Sequence, residues 1–454
     1  MSLAINSLSW ARLWSRSIST RSLHIKARYA PFGVKSETLL EKGQDFTVSN
    51  PATGESLCKV ASVSEGFVKE AINDAQDAFQ SGIWSKAPAI HRSKVLSKLA
   101  RLLEERIAEL AGIETLQTGR PIREMKTQLS RLPEWLLDPS SCLNQKSQPF
   151  NHPLLIAIKK IAPALAAGNS VVLAPITVLE FADMAGQAGI PAGVLTVLPG
   201  IGATVGKAII SHPHVRKVDV TASTETGRAV GRVAGTNIAS FTAELGGKAP
   251  ILVFNDADIQ SAVNGVAFAS FIASGQTCVS GTRIIIQDGV YDSFISALVE
   301  KTDSIRSRMG NPMNPQSTMG PIISEHHLTR IENILGRMQG KVLCGGHKLT
   351  GASPLDGLDY AHGSFLAPTI IENVRSMDEL WQEEVFGPVI VVRRFNFPLV
   401  GGDFDIEARL HSSYARGGMK DSGIGRENGI EAFESCQNIN TVLAICLLTL
   451  PVVS

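Results

Sequence analysis

The sequence has almost no net charge. Its 454 residues carry 43 Lys and Arg against 42 Asp and Glu, a balance of +1. No global field therefore favours nucleic acid or an anionic membrane as partner. It also has no CxxC pair. Cys58, Cys142, Cys278, Cys344, Cys436 and Cys446 stand too far apart for a zinc module or a disulfide framework, so free thiols are expected and no metal site. No apolar run is long enough for a membrane span, which takes about 20 residues. The last such run, Val442 to Val453, is short and holds Pro451, and it reads as a frayed or packed tail. Aromatics are scarce, with 5 Trp and 4 Tyr, whereas 40 glycines imply many turns and close backbone approaches. A repeat of fixed period and low-complexity tracts are also absent. What remains, 44% apolar and 19% charged, is a globular composition with length for about two or three domains.

Acid is missing from one stretch entirely. Met1 to Ser36 contains Arg12, Arg16, Arg21, Lys26, Arg28, Lys35 and many serines but no Asp or Glu. That pattern predicts a mitochondrial transit peptide over 1–36 and a matrix location; a basic tail on a cytoplasmic protein is the alternative. Beyond it, Ser49 to Glu55 reads as a turn between short strands. Val68, Ala71, Ile72, Ala75 and Phe79 keep helical spacing, and a second helix runs from Ala89 to Thr118, stopped by Gly119 and Pro121. Asp138 to Phe150 is polar and without period. From Pro153 onward, helices at Ile156–Ala166, Val178–Ala188, Gly200–Ser211 and Thr224–Thr236 alternate with strands at Ser170–Leu173, Val194–Leu198, Val215–Thr221 and Ser240–Leu245. This alternation predicts a parallel sheet in an α/β domain, followed by a second α/β region from Ile251 to about Phe395.

Several short segments carry chemistry. Gly200-Ile201-Gly202-Ala203-Thr204-Val205-Gly206 follows a strand and opens a helix, where glycines let a dinucleotide phosphate reach the backbone. Its spacing is not the Rossmann fingerprint, and a plain turn explains it as well. Cys278, in Ala273-Ser274-Gly275-Gln276-Thr277-Cys278-Val279-Ser280-Gly281, is flanked by small residues that leave a thiol open; the alternative is an inert buried cysteine. Glu244 ends an apolar strand just before Gly246 and Gly247. It suits either a desolvated general base or an ion pair with Lys248. Glu383-Glu384-Val385-Phe386-Gly387-Pro388 alone is a loop, and Asn151 is a turn residue or an amide donor.

Together these segments resemble the aldehyde dehydrogenase superfamily. TAELGGK and GQTCVSG carry the resemblance, with Glu244 and Cys278 34 residues apart. EEVFGP, PGIGATVG and the late GGMKDSGIGREN fit as well, so the likeness runs from about Phe46 to Phe433. PFNHPLL is most similar to the betaine-aldehyde and trimethylaminobutyraldehyde type. The resemblance implies an α/β fold with a Rossmann-type cofactor domain (37–243), an α/β catalytic domain (244–431) and an atypical tail (432–454). It implies NAD or NADP as cofactor and a small aldehyde as substrate. Cys278 would be the nucleophile, Glu244 the base and Asn151 an oxyanion donor. Gly202, Gly206, Ser223, Leu245, Glu384 and Phe386 would line the cofactor.

The chain departs from that pattern in three places. Between the helix near Trp135 and Asn151 the family has an oligomerisation strand and the first cofactor-domain strand; here only Leu136 to Phe150 intervene. Phe150 also replaces the usual Trp. The family's V-V-L-K-P-S-E becomes Val171-Val172-Leu173-Ala174-Pro175-Ile176-Thr177, without the Lys and Glu that hold the adenosine ribose, and Ala222 replaces a Gly. A long segment is absent between Phe395 and Gly417. Missing strands leave unpaired edges unless the chain reroutes. A catalytically impaired relative, without the family's homo-oligomer, is thus the second expectation. A cofactor-free thiol esterase on Cys278 and Glu244 is a third, but it needs a positioned His, and His152, His212 and His214 lack the context for it.

Overall fold

A computed structural model describes residues 23–33, 45–137, 153–173, 176–396, 420–425 and 442–447. Its first strand, β1 (Arg28–Tyr29), runs parallel to β3 (Ser56–Val60), which pairs antiparallel with β2 (Phe46–Ser49). The turn between β2 and β3 forms as expected: Gly54, at φ 73°, donates its N–H to the Asn50 carbonyl at 2.8 Å. β1 lies within the stretch expected as a presequence, 1–36. Arg28 pairs with Asp45, Lys26 with Asp183 and Glu180, and Tyr29 is 2% exposed. Two cations read as targeting charges therefore serve the folded body.

Helix α1 (Glu65–Ser81) starts where Ser64 caps the Phe67 N–H and ends at left-handed Gly82. α2 (Ala89–Thr118) buries Leu99, Leu103, Leu110 and Ile113 on one face and ends at Gly119, φ 76°. α3 (Ile122–Leu129) and α4 (Leu132–Leu137) follow, and then α5 (Pro153–Ala166), which begins three residues earlier than its apolar pattern. Asp138–Phe150 and Asn151 lie outside the described residues.

The α/β alternation then builds a sheet from β4 (Ser170–Leu173), α6 (Ile176–Ala188), β5 (Leu195–Val197), α7 (Lys207–Ile210), β6 (Val215–Thr221), α8 (Thr224–Thr236) and β7 (Ser240–Glu244). The expected helix over Gly200–Ser211 is corrected. Gly202–Gly206 form a wide π turn, with the Lys207 N–H reaching back to the Gly202 carbonyl, and only Lys207–Ile210 are α-helical. Glycines at both ends weaken the α option there.

A second region holds β8 (Ala249–Val253), α9 (Ile259–Phe271), β9 (Gly281–Gln287), α10 (Asp288–Arg306), α11 (Glu325–Arg337), β10 (Lys341–Cys344), β11 (Thr369–Glu372), α12 (Glu379–Gln382) and β12 (Val389–Phe395). Its five strands run in the order β10-β11-β12-β9-β8, with β8, β9, β12 and β11 parallel. Apolar clusters cover both faces: Phe294, Leu298 and Phe365 belong to one, Leu328, Ile331 and Trp381 to the other.

Two late strands join the first sheet, whose order is β13-β7-β6-β14-β4-β5. β13 (Gly423–Ile424) is antiparallel to Glu244 and Ala243 at the edge. β14 (Val442–Leu447) lies parallel between β4 and β6. The first half of the run expected as a frayed or packed tail is therefore an interior strand. A doubly wound sheet winds outward both ways from its first strand. β4 and β5 run out on one side and β6 and β7 on the other, so β14 takes the first strand's place. This is the rerouting that keeps the neighbouring backbone edges paired.

Candidate active site

The carboxyl ends of the parallel strands of the first sheet share one rim, the place where open α/β sheets bind ligands. The Gly202–Gly206 turn leaves β5 on that rim, and Ile201 beside it is 54% exposed. Ser223 caps α8 after β6: its hydroxyl accepts the Thr226 N–H at 3.2 Å and lies 3.0 Å from the Thr226 hydroxyl. The Ala222 N–H donates to the Glu244 carbonyl at 3.1 Å, so the ends of β6 and β7 are held together. Leu245 donates its N–H to Ser422, and its side chain packs so closely that a Cβ on Gly227 would lie 2.3 Å from it.

Glu244 is the last residue of β7, and its Oε1 is closed off from solvent. The backbone then turns through Gly246 and Gly247 onto the cysteine segment. A Cβ on Gly247 would lie 2.6 Å from the Cys278 carbonyl oxygen. No side chain fits there, so this glycine pair is what lets the glutamate strand and the cysteine approach. The Gly247 N–H also donates to Glu384 Oε1 at 3.2 Å, and a Cβ on Gly246 would meet Glu384 Oε2 at 2.7 Å. Glu384 thus joins Glu244 and Cys278 through one four-residue turn.

Charge at this junction differs from the simple ion pair that sequence spacing allowed. Lys248 makes no ion pair with Glu244. Its buried ammonium, without a hydrogen-bond partner among the described residues, is attracted to Glu384. Burial pulls Lys248 down to about 8, Glu384 opposes this, and Arg283 adds repulsion. Burial pushes Glu384 up to about 7 against the Gly247 N–H and Lys248. Cys278 is half-buried. Cys58 and Cys344 are pushed up to about 11 by burial, which makes them poor thiolates at neutral pH.

The cysteine segment is strained. After α9, Ala273, Ser274 and Gly275 all take left-handed backbone angles, φ 57°, 56° and 65°. Each non-glycine there costs roughly 1–2 kcal/mol, so the surroundings must hold the turn. Glu124 Oε2 accepts the Ala273 N–H at 3.3 Å. Ser274 Oγ donates to the Gly320 carbonyl at 2.8 Å, and Gln276 bonds the Pro321 carbonyl and the Ile323 N–H. Gly275 sits so close to the Gly387 carbonyl that a Cβ would lie 2.2 Å from it.

Phe386 is also left-handed, φ 59°. Helix α11 holds it: His327 Nε2 donates to the Phe386 carbonyl at 2.7 Å, and Arg330 donates to the Val385 carbonyl at 3.1 Å. Burial lowers the His327 pKa, which favours the neutral ring. Sequence reasoning passed over His327, Arg330, Glu124 and Glu114, since all four sit in ordinary helical patterns. Glu114 is fully buried; its carboxylate accepts the Thr177 hydroxyl at 2.7 Å and the Leu154 N–H of α5 at 3.2 Å. It fixes the start of the helix that follows Asn151. His212 and His214 lie ring to ring, centroids 5.2 Å apart and tilted by 50°, in the turn before β6, away from the role an esterase would require.

Comparison with known proteins gives one answer. The profile of the aldehyde dehydrogenase family matches residues 39–137 and 148–397. A betaine aldehyde dehydrogenase of Mesorhizobium japonicum is 32% identical over 470 aligned residues, covering 88% of this chain and 94% of its own. The betaine aldehyde dehydrogenase of Staphylococcus aureus, solved with NAD+, superposes with a TM-score of 0.77 at 27% identity, covering 86% of this chain and 90% of its own. HpcC of Thermus thermophilus gives 0.77 at 29% identity, with 87% and 88% covered.

Proposed function

Since the chain belongs to the aldehyde dehydrogenase family, we propose that it oxidises its aldehyde through an acyl group carried on Cys278 and released by Glu244. It is an NAD(P)-dependent aldehyde dehydrogenase. The observation that carries the proposed mechanism is the close approach of Gly247 to the Cys278 carbonyl, which ties the glutamate strand to the cysteine.

The cofactor rim fits a dinucleotide over most of its length. Gly246 and Gly247 leave room beside Glu384, Ser223 caps a helix N-terminus, and the Gly202–Gly206 turn is open. Gly202, Gly206 and Ser223 would lie along the phosphates, Leu245 and Phe386 beside the ring, and Glu384 on a ribose. A bound nicotinamide supplies the hydride acceptor that the oxidation needs. The chain's own residues do the rest. Cys278, as thiolate, bonds to the aldehyde carbon. Its own N–H and the Asn151 amide hold the oxyanion that forms. Once the carbon is oxidised, Cys278 carries a thioester. Glu244 takes a proton from water, the water oxygen bonds to the acyl carbon, and the carbon–sulfur bond breaks to free the acid.

The betaine aldehyde dehydrogenases named above favour an aldehyde bearing a quaternary ammonium, and kcat/KM for betaine aldehyde against hexanal tests that class. The basic N-terminus favours the mitochondrial matrix, with any cleaved segment ending before Leu23. The decisive experiment on mechanism is aldehyde-dependent NADH formation. Cys278→Ala abolishes it if the reading is right, and turnover that survives the change sinks it. The second reading, an impaired enzyme, rests on Ala174-Pro175 standing where the ribose-binding Lys is usual. Calorimetric titration with NAD separates the two, since tight binding at one site per chain counts against impairment.

A further inference from the structure

The buried acid of helix α3 has no part in the mechanism above, yet it touches the cysteine segment directly. Its carboxylate, Glu124 Oε2, accepts the Ala273 N–H at 3.3 Å and lies 3.9 Å from Arg120 Nε. The Glu124 side chain is 11% exposed and that of Arg120 3%. The guanidinium nitrogens of Arg120 make no hydrogen bond among the described residues. Burial raises the Glu124 pKa, and the Arg120 charge is the first of the groups that oppose it. A buried cation at that distance favours the ionised carboxylate and holds it in place. Ala273 opens the left-handed turn that ends three residues before Cys278, and its 3.0 Å bond from the Gln276 N–H closes that turn. An L-residue leaves such a conformation readily unless its N–H is held.

We propose that Glu124 is a positioning residue for Cys278: with Arg120 behind it, its carboxylate clamps the left-handed turn Ala273–Gly275 and so aims the cysteine backbone and thiol. Charge is not the essential feature on the Ala273 side; an oxygen acceptor is. Glycine at 273 adopts the left-handed angles without help. This inference deepens the assignment of Cys278 as nucleophile, but its geometry stands independently of that assignment.

The test uses the full chain and iodoacetamide, with alkylation of the Cys278 peptide followed by mass spectrometry across neutral pH beside steady-state aldehyde oxidation. Glu124→Ala is expected to slow both Cys278 alkylation and kcat by about ten- to a hundredfold, the usual penalty for a misaimed group, with aldehyde KM little changed. Glu124→Gln, which keeps the oxygen, restores most of the rate, and so does Ala273→Gly added to Glu124→Ala. Cys344, on the far edge strand β10 of the sheet that Cys278 leads into, alkylates at one rate in all variants. Wild-type alkylation in Glu124→Ala overturns the proposal. So does a Glu124→Gln variant as slow as the alanine, or a glycine double variant that is slow or unfolded. If Cys278→Ala still oxidises aldehydes, the mechanism fails while the alkylation series still decides the clamp.

Discussion

Replacing Ala444 by proline tests the interior strand. Ala444 is in register with Val172 of β4 and Val218 of β6, so it has a backbone neighbour on both sides. Proline removes its N–H and fixes φ near −65°, whereas a parallel strand needs about −120°. The lost hydrogen bond costs about 1 kcal/mol, and the buried carbonyl left without a donor costs about 1–3 kcal/mol more. The sum, about 2–4 kcal/mol, is a large share of a typical folding stability of about 5–15 kcal/mol. Amide hydrogen exchange reads it directly. At about 1.4 kcal/mol per tenfold, protection of residues 442–447 and of β6 falls together by roughly 30- to 700-fold. The second sheet, β8 to β12, keeps its protection. Ala444→Gly, which keeps the N–H, is the control and stays within about 1 kcal/mol of the parent. Two results refute the reasoning: residues 442–447 already exchanging like an unfolded peptide in the parent chain, or β6 protection unchanged by the proline.

Other perturbations probe the site and its supports. Lys160, on α5, pairs with Asp219 of β6, both nearly buried; Lys160→Met leaves that carboxylate without its ammonium and lowers stability by about 3–5 kcal/mol in urea unfolding, and a loss under about 1 kcal/mol contradicts the pair's burial. Glu384, at about 7, gains its proton as pH falls through neutrality, so NAD affinity drops on the acid side and is retained above; Glu384→Gln flattens the profile, and a parent profile already flat rules out a ribose role. Gly247→Ala pushes a methyl to 2.6 Å from the Cys278 carbonyl, so kcat falls by about a hundredfold while the melting temperature moves little; full activity would show that the two segments need not approach.

Local rules made much of the scaffold legible. Helix α2 ends where Gly119 and Pro121 said it would, and β6 and α8 have the expected bounds because Ser223 is a strong cap. Glu244 and Cys278 were visible only jointly, as two motifs at one spacing; their contact through Gly247 belongs to tertiary structure. The failures share one physical cause. Lys26 and Arg28 looked like targeting charges because their partners Asp183 and Asp45 are distant in sequence. Lys248 looked like the partner of Glu244, four residues away, but the fold places Glu384 against it. Glu124 carried no reading at all, because only the fold lays the turn at Ala273 on it.

The interior strand repairs one consequence of the shortened sequence and leaves another. In the family pattern a single segment serves twice: it fills the centre of the cofactor sheet, and it delivers the chain into the oxyanion asparagine and the helix behind it. Here the two tasks are divided. β14 supplies the backbone partners that β4 and β6 require, but it leaves the rim toward residues 448–454, not toward Asn151. Helix α5 is entered from 138–152 and fixed at Leu154 by the buried Glu114 carboxylate. Sheet integrity and the start of helix α5 therefore depend on different, non-adjacent parts of the chain. On the proposed mechanism, cofactor binding and Cys278 reactivity depend on β14, the glycine pair and the proposed Glu124 clamp, whereas an oxyanion donor beyond the Cys278 N–H depends on the Glu114 tether. One oxyanion donor is worth about a hundred- to a thousandfold in turnover, so on the proposed mechanism Glu114→Ala is expected to lower kcat toward that range, and a kcat left unchanged would refute a role for the tether.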